Sequence, residues 1–193
     1  MRYRKSFFCL IILSFAISSL GFGEDDPLQV YLAKVSSKAN ELSKKEKMDL
    51  LNRMDELIGK VQRNHKKLIQ TIQTGEIEIR YQEGKYWMSK LEEDKSTIGI
   101  AIQQIKLLKE KPTHLIASIQ LYKSLKDLSA NFNAYNNLTS FSAIVGDLAP
   151  EMELWVDPIF YKLYLLPLAQ YMEKGIKKET PQKEKRAVPK KKP

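Results

Sequence analysis

Cysteine is almost missing from this chain of 193 residues, which has one, Cys9, and histidine is nearly as scarce, with only His65 and His114. Cys9 lies within an apolar run near the N-terminus rather than at its end, which does not fit lipid attachment at that residue. Once that run is removed as a signal, the chain has no disulfide, no thiolate nucleophile, no Cys-ligated metal and no haem-attachment sequence. The two histidines have no His or Cys at ligand spacing and no bracketing carboxylates, and a lone His does not hold zinc. His65 reads as a packing residue of a helix seam, and His114 as a residue of a first helical turn beside Thr113.

Sequence motifs of catalysis are lacking too: there is no Gly-x-Ser-x-Gly elbow, P-loop, Gly-x-Gly-x-x-Gly turn or His-Glu-x-x-His helix. Glu92, Glu93 and Asp94 are consecutive, so on a helix they point around the axis instead of converging. Asp147, Glu151, Glu153 and Asp157 have loop-like spacing without the Asp-x-Asp-x-Asp-Gly order of a calcium loop, and read as a solvated acidic rim. No residue is singled out as catalytic, cofactor-binding or metal-ligating. The expectation is a protein that is not an enzyme and carries no cofactor.

What is present starts with Arg2, Arg4 and Lys5 ahead of the apolar run Phe7 to Ala16, then small and polar residues to Gly23 and the acidic Glu24-Asp25-Asp26. That order is the one found in secretory signals, with cleavage expected before Glu24. The alternative is an uncleaved anchor, since residues 7–23 approach the roughly 17-residue lower limit for a membrane span. Either way the body is expected outside the cytoplasm, periplasmic or secreted, with the anchored form tethered to the membrane.

The chain's +9 charge belongs to its ends. Residues 1–23 carry 3 basic and no acidic side chains, residues 24–173 carry 20 and 21, and residues 174–193 carry 9 and 2. A near-neutral body with interspersed signs is an ordinary solvated surface. The segment from Lys174 to Pro193 has three prolines, few apolar residues after Ile176, and the cations Lys177, Lys178, Lys183, Lys185, Arg186, Lys190, Lys191 and Lys192. It buries too little to offset its ordering entropy, and is expected to be a disordered tail. Such a tail serves either as a solubiliser or as an electrostatic attachment to anionic lipid or cell-wall polymer. Without aromatic residues for base stacking, it does not suggest nucleic acid.

Between the ends, apolar residues recur at helical spacing. Leu28, Leu32, Val35, Ala39 and Leu42 follow Asp26-Pro27, an N-cap and first-turn pair, and Ser43 with Glu46 reads as a capping box, where a second helix starts or one long helix continues through. Leu51, Met54, Ile58, Val61, His65, Leu68 and Ile72 form a seam ended by Thr74-Gly75, and Met88, Leu91, Ile98, Ile102 and Ile105 resume it up to Lys111-Pro112. Residues 46–110 therefore predict a long helical hairpin. Its tip, residues 76–87, reads both as helix and as a small β-hairpin, because Ile77, Ile79 and Tyr81 alternate with charges ahead of Gly84 and Tyr86-Trp87.

Pro112-Thr113 opens a further helix with Leu115, Ile116, Ile119, Tyr122, Leu125, Leu128 and Phe132 on its face, ended by Asn131, Asn133, Asn136 and Asn137. Asp157-Pro158 reads as the cap and first turn of a last helix that Pro167 kinks or ends. The predicted fold is all-α: an antiparallel helical bundle in one domain over residues 24–173, built on the hairpin, with the tail beyond.

Aromatic residues are dense between Asn131 and Leu168: Phe132, Tyr135, Phe141, Trp155, Phe160, Tyr161 and Tyr164. They either close the core or form a docking patch or pocket lining. Asn137-Leu138-Thr139 is a glycosylation sequon, relevant only to a chain that enters an endoplasmic reticulum. The expected function is that of an extracytoplasmic interaction or scaffold protein with a protein partner. The alternative is a module holding a small apolar or amphipathic ligand between helices.

Overall fold

A computed structural model describes residues 27–37, 42–76 and 81–183, and every regular element among them is helical. The expected signal, its anchor alternative and the segment after Lys183 lie outside the described residues. Among the described residues no helix is long and apolar enough to cross a membrane.

Helix α1, Pro27–Ser36, starts on the proline whose fixed φ and missing N–H suit a first helical position. Helix α2, Lys44–Thr74, is a separate element, opened by the expected capping box. The Ser43 hydroxyl accepts from the Glu46 N–H at 3.3 Å, and the Glu46 carboxylate accepts from the Ser43 N–H at 2.9 Å. At the other end Gly75 takes φ 70°, a conformation that costs glycine nothing sterically, and its N–H closes on the Ile72 carbonyl. Between the caps Leu51, Met54, Ile58, Val61, His65 and Leu68 are buried along one seam.

Helix α3, Tyr81–Glu110, corrects the β-hairpin reading of residues 76–87. Tyr86 and Trp87, its expected second strand, lie in the second turn of this helix, and 77–80 fall outside the described residues. Helical phase prevails because it puts Trp87 on the side of Leu91, where its ring packs edge-on against Tyr135 and Phe141. Lys109 pairs with Asp55 at 2.6 Å and His65 bonds the Leu91 carbonyl, so α2 and α3 run in opposite directions.

Helix α4, Leu115–Asn136, is capped by His114, whose Nδ1 accepts from the Ala117 N–H at 3.1 Å. Its buried face holds Ala117, Ser118, Leu121, Ser124, Leu125, Leu128, Ser129, Phe132 and Tyr135. The expected face was half right: Leu125, Leu128 and Phe132 are buried, but Ile116 and Ile119 point to solvent. Small Ala and Ser side chains line the contact instead, and they let α4 lie close to its neighbours where isoleucine would hold it off.

Helices α5, Thr139–Val145, and α6, Leu148–Leu154, turn on Gly146 at φ 52°, ψ −136°. A π-helical stretch, Trp155–Leu165, follows without a break and passes into α7, Leu166–Lys183. Here a second expectation is corrected: Asp157-Pro158 does not start a helix but lies inside one. The proline has no N–H to donate, and the i→i+5 pattern of the stretch carries the helix past it. Pro167 occupies the first turn of α7 and does not end it. The α7 backbone stays helical through Lys183, nine residues beyond the expected start of a disordered tail at Lys174. The π stretch touches α1, α2, α4, α6 and α7, and so forms the hub of the C-terminal half.

Candidate functional site

Leu91, Asp94, Ile98, Ala101 and Ile105 follow one another at intervals of three and four, and all are buried on α3. Asp94 is thus a carboxylate set into an apolar seam, the only acidic residue buried among those described. The Tyr135 hydroxyl donates to Asp94 Oδ2 at 2.6 Å, and the Asn131 side-chain amide donates to Oδ1 at 2.6 Å. Both donors stand on α4, one turn apart, so a single carboxylate clamps two helices. His65, on α2, is close enough to act on Asp94 electrostatically, while its Nε2 is engaged with the Leu91 carbonyl at 2.6 Å.

Burial dominates the acidity of this group. It pushes the Asp94 carboxyl above the usual carboxylate range, against the opposing pull of the Tyr135 and Asn131 hydrogen bonds and of the His65 and Lys90 charges. Burial and then the Asp94 hydrogen bond push the Tyr135 hydroxyl up as well. Around the pair, rings from three helices meet edge-on: Trp87–Tyr135 at 5.7 Å, Trp87–Phe141 at 5.8 Å and Phe132–Tyr135 at 5.6 Å. This sheath excludes water and strengthens the enclosed hydrogen bonds. Clefts open elsewhere among the described residues, and three of the most pronounced are not lined by His65, Asp94, Asn131 or Tyr135. The arrangement holds α3 and α4 in one register.

Charge pattern alone does not point to Asp94, since the neighbouring Glu92 and Glu93 are exposed and pair with Lys95 and Lys90. The signal that marks it is its spacing, three after Leu91 and four before Ile98. Of the aromatics expected as a docking patch or pocket lining, Phe132, Tyr135, Phe141, Trp155, Phe160 and Tyr164 are buried, and only Tyr161 is exposed. A surface made of those seven residues is therefore corrected to a core cluster, because most project from the inner faces of α4, α5 and the π stretch. Phe160 stacks on Tyr164 at 5.1 Å, and the Tyr164 hydroxyl donates to the Pro112 carbonyl at 2.8 Å. Tyr161 leans on Tyr122, whose hydroxyl donates to Asp157 at 2.7 Å.

Trp155 reaches an opening. Its ring meets Tyr31 of α1 edge-on at 5.7 Å. Together with Leu28 and Leu57 it floors a cleft of about 290 Å³, rimmed by Arg53, Glu56, Lys60 and Glu151. The rim charges are paired, Lys60 with Glu151 at 2.7 Å and Arg53 with Glu56 at 2.7 Å. A second cleft, along the other side of α1, is lined by Tyr31, Lys34 and Glu46 and shares Arg53 and Glu56.

The expected acidic rim does not converge. Glu151 goes to Lys60 and Asp157 to Tyr122 and Lys126, and no group of three His, Cys, Asp or Glu suited to a metal occurs among the described residues. Of the tail cations, Lys177, Lys178 and Lys183 lie on the backbone of α7, and Lys185, Arg186, Lys190, Lys191 and Lys192 lie outside the described residues. Compared with known proteins, the chain matches no protein-family model, no curated protein and no solved structure.

Proposed function

We propose that this chain is a non-enzymatic interaction or scaffold protein of the extracytoplasmic space, a helical bundle that a basic C-terminal segment attaches to anionic surfaces. The observation that carries this reading is the use made of the chemistry-bearing side chains. Asp94, His65, Asn131 and Tyr135 are spent on helix–helix contacts inside an aromatic sheath, and the acidic rim on surface ion pairs. What the molecule offers to others is long helix faces and a cationic end. The signal-like residues 1–23 support export, and the charge of residues 174–193 supports attachment, each cation near an anionic surface contributing about 1 kcal/mol at low salt.

The experiment is retention on anionic vesicles and on envelope extract, with the intact protein and with a version ending at Lys183. Binding that needs the last ten residues and falls as salt rises supports the reading. An intact protein that retains neither surface nor protein partner in low salt overturns it.

The cleft at Trp155 favours a second reading, a module that holds a small apolar or amphipathic ligand under α1. Its size is at the lower end for ligand sites, with an apolar floor and a charged rim. A thermal-shift screen with fatty acids and amphipathic amines tests it, since a ligand at about 100 times its Kd adds roughly 2.7 kcal/mol of stability. No shift with any of them, in wild type and Trp155→Ala alike, excludes it.

A further inference from the structure

We infer that the outward face of α4, with the adjoining edge of α3, is a self-association surface on which a second copy of this chain docks antiparallel about a two-fold axis. Whereas α2 covers its solvent side with Lys, Arg, Asp and Glu, the outward arc of α4 is Ile116, Ile119, Gln120, Lys123, Asp127, Ala130 and Ala134. Ile116 is 63% exposed and Ile119 48%, among the most exposed large apolar side chains described, and Ile100 of α3 joins them at 41%. A shallow groove between Ile100 and Gln104 on α3 and Gln120, Lys123 and Asp127 on α4 completes the face.

Two features select a second copy as the occupant. The first is charge. Lys123 and Asp127 are the charged residues at the centre of the arc, lie one turn apart, and form no ion pair among the described residues, whereas the exposed Lys126 at its edge is already paired with Asp157. A two-fold axis at the level of Leu125 sets Lys123 of each copy against Asp127 of the other, so both charges are matched twice. The second is shape. The same axis sets Ile116 against Ala134, and Ile119 and Gln120 against the turn holding Ala130. Bulky side chains at the N-terminal half of one helix thus meet small ones at the C-terminal half of its mate. Helix geometry makes the arc about 27 Å long and the two-helix face about 20 Å wide, or about 1,000 Å² for both copies, which is the lower edge of specific interfaces and fits a weak, micromolar dimer. The inference goes beyond the proposed attachment to surfaces and does not depend on the tail or on where the chain acts.

Sedimentation equilibrium of the full chain tests it, from about 1 µM to about 1 mM at low salt. The expected result is a rise from one copy to two across that range. Lys123→Glu and Asp127→Lys each place like charges together and weaken association by about tenfold or more. An equimolar mixture of the two variants restores it, because each opposed pair is then complementary. Both sites are exposed, so both variants keep the wild-type Tm, which is measured alongside. A wild type that stays single to about 1 mM, or a dimer indifferent to both substitutions, overturns the inference. So does a mixture no better than its components.

Discussion

At the scale of single residues, Asp94 joins α3 to α4 through its bonds to Asn131 and Tyr135. Its carboxylate is costly to hold charged among apolar groups, and its two donors offset that cost only while both are in place. Removing the Tyr135 hydroxyl with Tyr135→Phe leaves one carboxylate oxygen without its donor, and is expected to lower unfolding free energy by about 1–3 kcal/mol in urea titration. The pH dependence has a definite sign. The folded carboxyl is raised above its unfolded value, so between the two values the folded state binds the proton more tightly. This residue's contribution to stability is therefore best below the unfolded value near 4 and worsens as pH rises through the folded one. Asp94→Asn keeps a side-chain oxygen and an amide for Asn131 and Tyr135. It is expected to flatten that part of the stability–pH curve; an unchanged slope in the variant contradicts the assignment. Spacing makes Asp94 legible as a seam residue, but its partners on α4, far off in sequence, are not.

Among the elements, the capping box of α2 was readable, whereas the sequence opened α4 at Pro112-Thr113 and the structure caps it with His114. Ser43-Lys44-Lys45-Glu46 carries its whole capping geometry within four residues, so nothing distant is needed to form it. Ser43→Ala is expected to cost about 1 kcal/mol, read as a shift of the thermal midpoint. Gly146 sits at φ 52°, ψ −136°, a conformation that side chains with a Cβ adopt only under strain, although open space surrounds it. Gly146→Ala is expected to destabilise by about 1–3 kcal/mol through backbone strain alone, and should do so without disturbing any packing contact. The π stretch was not legible, because Asp157-Pro158 is a good local start signal and the chain overrides it. Trp155, Val156, Ile159, Phe160, Leu163 and Tyr164 are all buried there, and keeping that apolar surface continuous outweighs the one cap Asp157 would make. Asp157 instead reaches across to α4. Burial at that contact would raise its carboxyl, but the Lys126 and Tyr122 hydrogen bonds outweigh this and hold it below the usual range.

For the molecule as a whole, the ends and the body divide the work. Shortening the chain to Lys183 removes five of the basic residues named as tail cations and leaves every described element in place. It is expected to abolish salt-sensitive retention on anionic vesicles while leaving the thermal midpoint within about 2 °C. All-α class, the two long arms, the capping box and the separation of charge into termini and body follow from the sequence alone. Each rests on periodicity, or on groups within a few residues of one another. Which of two possible faces a helix buries was settled only by the fold: α4 turns Ala117, Ser118 and Ser124 inward and Ile116 and Ile119 outward, since close approach to α3 rewards small side chains. The fate of the aromatics was settled there too. A ring in a sequence is equally suited to a core or a patch, and only the assembled helices placed six of seven inside. Local chemistry fixes an end such as the Ser43 cap, whereas burial, which overrides the start signal at Asp157-Pro158, is a competition among all surfaces at once, and its outcome exists only in three dimensions.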